Sequence, residues 1–263
     1  MIKKSEIIRL FKRINLKLVL RGYSTKDKLN VIYSFFFLGP LRKIGVTKKE
    51  ILITMQSEEG IFVCGDKSIN IVSKNYEKNI RKFFDLNEGV FIDVGANLGK
   101  YTIMMARKLK EKGSVVSIEP EPHTIELLKQ NVRLNKLQNV SVVGKACSSK
   151  NGKETLYLEG TTYSGGLHSL KRYKNHVDKM EVEVEKLDSI ISRLKIKQVD
   201  LIKIDVEGSE VDVLHGAQKI LKKFHPRIIC ECQGEESEKK IRSLLKKFKY
   251  NIKRVDEANL FAF

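Results

Sequence analysis

Residues 91–99 read FIDVGANLG, in which an apolar segment ends at Asp93 and a turn with two glycines follows. An apolar-periodic stretch begins at Lys100, and a second apolar segment, 114–118, ends at Glu119. A strand, a glycine turn, a helix and a second strand that ends in an acid together make a mononucleotide-type pocket. The chain is therefore expected to fold as an α/β domain with a parallel sheet and a ligand pocket at the strand ends.

The glycine turn lacks the middle glycine that a dinucleotide site requires, because position 97 is asparagine. It offers instead Asp93 at the strand end, followed by Gly95 and Gly99 four residues apart. Such a turn suits a ligand without phosphates whose amino acid moiety binds a carboxylate and backbone N–H groups. Glu119 is expected to accept hydrogen bonds from two ribose hydroxyls. S-adenosylmethionine meets both requirements, and the alternative is a strand-to-helix turn that binds nothing.

Two further segments, 116–140 and 187–221, extend this pattern, and the second contains the block KIDVEGSE at 203–210. Together with the DVGAN block at 93–97, they resemble the FkbM-type family of S-adenosylmethionine-dependent methyltransferases. The resemblance covers about residue 58 to the end of the sequence. It implies a Rossmann-like class I methyltransferase fold, with a mostly parallel seven-stranded sheet and helices on both faces. It also implies O-methylation of sugars or other small hydroxylated molecules.

The chain is interpreted as an N-terminal helical extension, residues 1–50, followed by a methyltransferase domain, residues 51–263. Apolar spacing predicts helix through most of residues 1–45. Short strands are expected at 51–55 and 60–64, with a third at 69–72, and a helix at 76–84 is expected to lead into the core.

The core is expected to alternate strands and helices. Strands are predicted at 90–94, 115–119, 140–143, 199–205 and 227–232, and an antiparallel pair at 251–255 and 260–263 closes the sheet. Helices are predicted at 100–109 and 122–137, and another is expected to begin with a capping box of Ser209 and Asp212. An insertion at 151–186 is expected to form a hairpin around a glycine-rich substrate loop at 160–170.

In an open parallel sheet, ligands bind beyond the carboxyl ends of the strands. That rule places four acids on one rim: Asp93, Glu119, Asp205 and Glu231. The family resemblance carries cofactor-binding roles onto Asp93, Gly95, Asn97, Gly99 and Glu119. Pro120, Ala146 and Asp205 are expected to complete the cofactor site, with Ala146 near the adenine.

Methyl transfer to a hydroxyl needs an aligned nucleophile and a proton acceptor. Asp205 or Glu207 is expected to act as the base or to orient the acceptor, and Glu231 to hold a substrate hydroxyl. His168 is a second candidate base. Two alternatives stay open: the three carboxylates together hold a divalent cation, or Glu207 is a helix N-terminal acid satisfied by backbone amides. No metal ligand is assigned.

The chain carries 50 basic and 32 acidic residues, a net charge of +18. Such a balance is typical of a nucleic acid partner, an anionic membrane surface or a lysine-rich surface of heat-adapted proteins. Because the lysines are scattered along predicted helices, solvated faces are favoured. An RNA methyltransferase is the second hypothesis, although DVEG at 205–208 replaces the block that positions a base amino group. A binding module that kept the pocket but lost turnover is the third.

The first 18 residues have the pattern of a basic amphipathic helix, which can lie on an anionic membrane but more often packs against its own domain or a partner subunit. No apolar run reaches the ~20 residues of a membrane span, and no export signal is evident. The four cysteines lack metal-site spacing. These features predict a cytoplasmic protein and leave its oligomeric state open. The family resemblance implies a small-molecule or glycan acceptor.

Overall fold

A computed structural model describes residues 21–73, 76–159, 168–173 and 176–263. The amphipathic helix predicted for the first 18 residues lies outside the described residues, as does most of the predicted substrate loop, 160–167. Among the described residues, no helix is both long and apolar enough to cross a bilayer. All four cysteines are buried free thiols.

The helical extension packs on a β-hairpin. Helix α1 (Thr25–Tyr33) begins after Ser24, which forms a capping box with Asp27, and a π-helical turn (Ser34–Leu38) joins it to α2 (Gly39–Lys43). Strands β1 (Leu52–Gln56) and β2 (Ile61–Gly65) pair antiparallel, as their sequences predicted. Because Val31 of α1 shares a core cluster with hairpin residues and with Leu98, the extension is anchored to the α/β core.

The remaining elements follow in the alternating order that the sequence predicted. They are β3 (Gly89–Val94), α3 (Lys100–Leu109), β4 (Gly113–Ile118), α4 (Pro122–Leu134), β5 (Val140–Val143), β6 (Ala146–Cys147), β7 (Gly152–Glu159), β8 (His176–Glu185), α5 (Leu187–Arg193), β9 (Leu201–Ile204), α6 (Glu210–His215), α7 (Gln218–Phe224), β10 (Arg227–Glu231), α8 (Gly234–Lys247), β11 (Ile252–Arg254) and β12 (Asn259–Ala262).

One seven-stranded sheet organises the described part of the chain, in the order β11-β12-β10-β9-β3-β4-β5. The strands from β10 to β5 are parallel to one another, and β12 pairs antiparallel with both β10 and β11. Neighbouring residues of the central strands enter opposite core clusters, with Ile92 and Ile202 on one face and Phe91 and Leu201 on the other. Both faces are therefore covered, as a parallel sheet requires. The Rossmann-like fold predicted from the sequence is confirmed.

The predicted insertion is a hairpin of β7 and β8 that joins β6 in a separate three-stranded sheet. The strand predicted at 69–72 is wrong, because these residues form turns. The helix predicted at 76–84 is also wrong, since only Arg81–Phe83 forms a 3-10 turn. Glu77 adopts a left-handed conformation (φ 51°) and accepts a hydrogen bond from the Tyr101 hydroxyl, so contacts with α3 override the local helical pattern.

Two element ends also differ from their predictions. Helix α4 ends at Leu134 rather than at residue 137, and Lys136 just beyond it has a positive φ of 54°. The predicted capping box at α6 is absent, because the Ser209 side chain makes no capping hydrogen bond. Glu210 binds the preceding backbone instead, accepting the N–H of Gly208 at 2.8 Å.

Candidate functional site

A pocket that is open to solvent at its mouth lies at the carboxyl ends of β3, β4 and β9. The glycine turn after β3 forms one wall, and residues that follow β4 and β9 form two others. This is the position at which open α/β sheets bind their ligands, because loops diverge there above the strand ends.

The glycine turn is held against the end of β9. Gly95 has φ +80°, and an added Cβ would lie 1.7 Å from the backbone oxygen of Asp205. Gly99 also has a positive φ, of +86°, and an added Cβ there would lie 2.4 Å from Leu128. Glycine is therefore favoured by conformation at both positions, and at Gly95 it is also required by space, because the blocking atom belongs to the backbone. Gly99 supports the turn from behind, whereas Gly95 and Asn97 line the pocket.

The N–H groups of the turn are engaged within the protein. Those of Gly95 and Ala96 both donate to the backbone oxygen of Ile118 at 3.0 Å, and that of Asn97 donates to Glu119. The turn thus stays joined to β4 and presents its edge to the pocket. This arrangement differs from the expectation that free N–H groups of the turn would bind a ligand carboxylate.

Glu119 lines the pocket from the end of β4 and is only 5% exposed. Its two oxygens accept hydrogen bonds from the N–H groups of Asn97 at 3.0 Å and Glu121 at 3.1 Å. Burial raises the pKa of Glu119 to about 7, although both hydrogen bonds oppose this effect. A carboxylate offers about four lone-pair sites, so Glu119 retains capacity for ligand hydroxyls.

Asp93 lies behind the pocket rather than in its wall. It is 1% exposed, and its Oδ2 accepts a hydrogen bond from the Thr102 hydroxyl at 2.7 Å. Its Oδ1 has no hydrogen-bond partner among the described residues. Burial raises the pKa of Asp93 above its ordinary value. Pro120 and Ala146, the other residues predicted to bind the cofactor, do line the pocket.

Three of the predicted acids meet beside the pocket. One carboxylate oxygen from each of Asp205, Glu207 and Glu231 lies within 4.8 Å of the other two. Asp205 and Glu207 line the pocket, and Glu231 lies behind them at the end of β10. The convergence predicted from three separate strand and loop positions is therefore present in the structure.

The carboxylate cluster retains protons near neutral pH. Burial, together with the charges of Asp205 and Glu207, raises the pKa of Glu231 well above its ordinary value. Burial and the Asp205 charge raise the pKa of Glu207 to about 7. Glu207 accepts a hydrogen bond from the Gln233 side chain at 2.7 Å, whereas the backbone N–H groups before α6 bind Glu210. Glu207 is thus free of the helix-capping role that was its alternative interpretation.

The sequence interpretation missed Lys203, which faces the same pocket from β9. Its Nζ lies 2.6 Å from Oδ2 of Asp205, and its side chain is only 4% exposed. Burial alone would lower the pKa of Lys203, but the carboxylates of Asp205, Glu77 and Asp93 raise it above its ordinary value. The sequence did contain an indication of Lys203, because residues two apart on a strand share a face and Asp205 was already expected at the site.

Two more pocket residues were missed. Lys100, at the start of α3, donates from Nζ to the backbone oxygen of Tyr76 at 2.6 Å, and burial lowers the pKa of Lys100 to about 8. Both residues line the pocket. His168, the second candidate base, also lines it, with Nδ1 accepting the backbone N–H of Glu159 at 3.3 Å.

The chain resembles known methyltransferases over this whole region. A family model described as the methyltransferase FkbM domain matches residues 93–252, a range that contains the glycine turn, Glu119 and the three clustered carboxylates. Methyltransferase 1 of Beauveria bassiana is 27% identical over 147 residues, which cover 49% of this chain and 59% of that protein. The 2-O-methyltransferase NoeI of Sinorhizobium fredii is 25% identical over 189 residues, covering 67% and 76% of the two chains.

The fold is shared with a solved structure. The crystal structure of methyltransferase FkbM from Methylobacillus flagellatus KT matches 98% of this chain and 60% of that chain, with a TM-score of 0.52 and 15% identity. The first curated relatives are matched over 59% and 60% of their own lengths, so the present chain spans about three fifths of each.

Proposed function

The chain belongs to the FkbM methyltransferase family, and we propose that it transfers a methyl group from S-adenosylmethionine to a hydroxyl of a sugar, glycan or other small molecule. The observation that carries this proposal is the meeting of the glycine turn, Glu119 and the carboxylate cluster around one pocket. The name of the relative NoeI, a 2-O-methyltransferase, supports oxygen as the accepting atom.

The residues at the turn and at the end of β4 fit the cofactor. Glu119 would accept the ribose hydroxyls, since each of its oxygens binds one N–H group and retains a further lone pair. Gly95 and Asn97 would border the amino acid moiety, and Ala146 the adenine. Asp93 would act from behind the turn. When bound, S-adenosylmethionine supplies a methyl group on a positively charged sulfur.

The carboxylate cluster would orient the acceptor hydroxyl and accept its proton. Asp205 or Glu207 would accept the hydroxyl proton as the acceptor oxygen takes the methyl group, and the electron pair of the broken bond would remain on the sulfur of the donor. A pKa of about 7 suits Glu207 to this task, because a base works best when its pKa is near the working pH. Protonated Glu231 would donate a hydrogen bond that orients the acceptor or its neighbouring carboxylate. His168 is the second candidate base.

A hydroxylated acceptor fits the chemistry of the pocket better than RNA does. Two lysines that line the pocket already have partners within the protein, since Lys203 pairs with Asp205 and Lys100 donates to the Tyr76 backbone. Three clustered acids would also repel a phosphate backbone. The net charge of +18 keeps an RNA methyltransferase as the second candidate. The buried free thiols support a reduced, cytoplasmic compartment.

Two measurements test the proposal. Calorimetry with S-adenosylmethionine and with its demethylated product should show binding to the wild type and much weaker binding to Glu119→Ala. Methyl-labelled cofactor, incubated with the protein and fractionated cell extract, should then label the glycan or small-molecule fraction. Labelled RNA, with an affinity that falls steeply with salt, would establish the second candidate instead. A folded protein that binds neither compound would refute both.

A further inference from the structure

The helical extension has an exposed apolar surface in addition to the face that it buries. This outer patch consists of five residues that are each 41–72% exposed: Leu29, Tyr33, Phe37, Ile44 and Val46. Large contiguous apolar patches are uncommon on proteins that work alone in water, and they mark surfaces that bind something else.

The geometry of α1 shows that the outer patch does not belong to the core. Val31 and Leu38 are 0% and 2% exposed on the inner side, where Val31 packs in the hairpin cluster. Tyr33 and Phe37 project from the outer side and stack on each other, with ring centroids 5.5 Å apart. A surface helix needs only one apolar face to dock on its own protein. The second face is therefore available to a partner.

The charge around the outer patch indicates which partner it fits. Residues 21–49 contain seven basic side chains and one acid, Asp27, which caps α1 and accepts the Thr54 N–H. Four of the basic residues are exposed and lie within three residues of a patch residue in the sequence, and they are called the lysine rim: Lys26, Lys43, Lys48 and Lys49. An aromatic centre with a cationic rim is typical of surfaces that insert into the headgroup region of anionic membranes.

The same charge disfavours a second copy of this chain as the occupant. A two-fold interface would bring the rim of one copy against the identical rim of the other, and like charges across an interface oppose association. The first 20 residues are also predominantly basic, with six lysines and arginines against Glu6. They too would meet repulsion if they covered the patch, whereas on a bilayer they would add to the attraction.

We propose that the outer patch docks the protein on the surface of an anionic lipid bilayer. The stacked rings of Tyr33 and Phe37 enter the boundary between headgroups and acyl chains, and the lysine rim contacts the lipid phosphates. This inference concerns a surface distinct from the methyl-transfer pocket and does not depend on the identity of the acceptor.

Cosedimentation of the full chain with lipid vesicles tests the proposal. We expect binding to vesicles of phosphatidylcholine mixed with phosphatidylglycerol, weaker binding to phosphatidylcholine alone, and loss of the difference at high salt. The double variant Tyr33→Ser/Phe37→Ser should bind the anionic vesicles about tenfold more weakly, because the two aromatic rings that enter the bilayer are lost. The matched control is Phe263→Ser, which removes a ring of similar exposure, 46%, from the other end of the chain.

Thermal unfolding and calorimetry with S-adenosylmethionine should be the same for the double variant and the wild type, which separates lost docking from lost folding. Equal vesicle binding by the wild type and the double variant would overturn the proposal, as would a wild type that binds no vesicles. A concentration-dependent dimer in sedimentation velocity that the double variant abolishes would also overturn it and would identify a second copy as the occupant.

Discussion

The ammonium of Lys203 lies 2.6 Å from Oδ2 of Asp205, and the two side chains leave the end of β9 two residues apart on the same side. Lys203 is 4% exposed and Asp205 is 24% exposed, so the pair has a buried cation and a carboxylate that reaches the pocket. The ion pair holds one negative charge beside two carboxyl groups, Glu207 and Glu231, whose pKa values are both raised.

Replacement of Lys203 should therefore change how turnover depends on pH. In Lys203→Met the three acids lose their positive neighbour, so the cluster holds its protons more tightly and reaches its basic form at higher pH. We expect turnover at pH 7 to fall by about tenfold or more, and the pH of half-maximal turnover to rise. Lys203→Arg keeps the positive charge, so its turnover at pH 7 and its pH of half-maximal turnover should both lie closer to those of the wild type. A lower rate with an unshifted pH profile would contradict this role and leave Lys203 a structural residue.

The clustered acids that line the pocket should be needed for turnover but not for cofactor binding. Asp205→Asn and Glu207→Gln keep the side-chain size and remove the ability to accept a proton. We expect at least one of them to lower kcat by about 10²–10⁴-fold while the calorimetric affinity for S-adenosylmethionine stays within a few-fold. Glu126→Gln, at an exposed acid on α4, is the control. Unchanged turnover in both variants would end the proposed role.

Glu119 should make the cofactor-free protein less stable as the pH rises. Its pKa is about 7 in the folded protein against an ordinary value of 4.5, so the folded state binds the proton more tightly. The resulting stabilisation is fully present below pH 4.5 and is lost as the pH rises through 7, by about 3 kcal/mol at most. Urea unfolding between pH 4.5 and 8 should show this decline, and Glu119→Gln should flatten it. If the free energy of unfolding fell equally with pH in the wild type and in Glu119→Gln, Glu119 would not be the group responsible.

The same ionisation should appear in cofactor binding. Ribose hydroxyls donate best to an ionised carboxylate, so affinity for S-adenosylmethionine should fall as the pH drops below 7. Isothermal titration in two buffers of different ionisation enthalpy would reveal proton release on binding near pH 6. Proton uptake, or an affinity that does not change with pH, would show that Glu119 does not accept hydrogen bonds from the ribose hydroxyls.

Gly95 should tolerate no side chain. Gly45 provides the matched comparison, because its φ of +74° resembles the +80° of Gly95 but nothing lies within 4 Å of an added Cβ. We expect Gly45→Ala to lower the free energy of unfolding by about 1 kcal/mol, the cost of a left-handed alanine. Gly95→Ala should lower it by about 3 kcal/mol or more, because a steric clash is added. If urea denaturation gave similar losses of unfolding free energy for Gly45→Ala and Gly95→Ala, the turn would be able to move away from β9.

Local patterns were sufficient to predict the parallel core and much of the site. The strand, turn and helix around Gly95 are close in sequence, and an acid at the end of β4 must face the ligand edge of the sheet. The convergence of Asp205 and Glu231 followed in the same way, since β9 and β10 are parallel neighbours. These predictions succeeded because strand direction alone determines where such residues meet.

Predictions failed where contacts distant in sequence decide the conformation. Residues 76–84 have a helical pattern, but Glu77 and Tyr76 are held by Tyr101 and Lys100 of α3. The sequence likewise could not indicate that Asp93 binds Thr102 instead of facing the pocket. Both outcomes depend on side-chain hydrogen bonds whose partners periodicity does not reveal.

The missing methyl group at position 95 has a mechanical consequence. Since the backbone of Gly95 lies directly against the carbonyl of Asp205, no flexible side chain separates the glycine turn from Asp205. In the proposed reaction, a cofactor that displaced the turn would therefore displace Asp205 as well. A redesign for new acceptors should leave this junction intact and alter the pocket residues around His168.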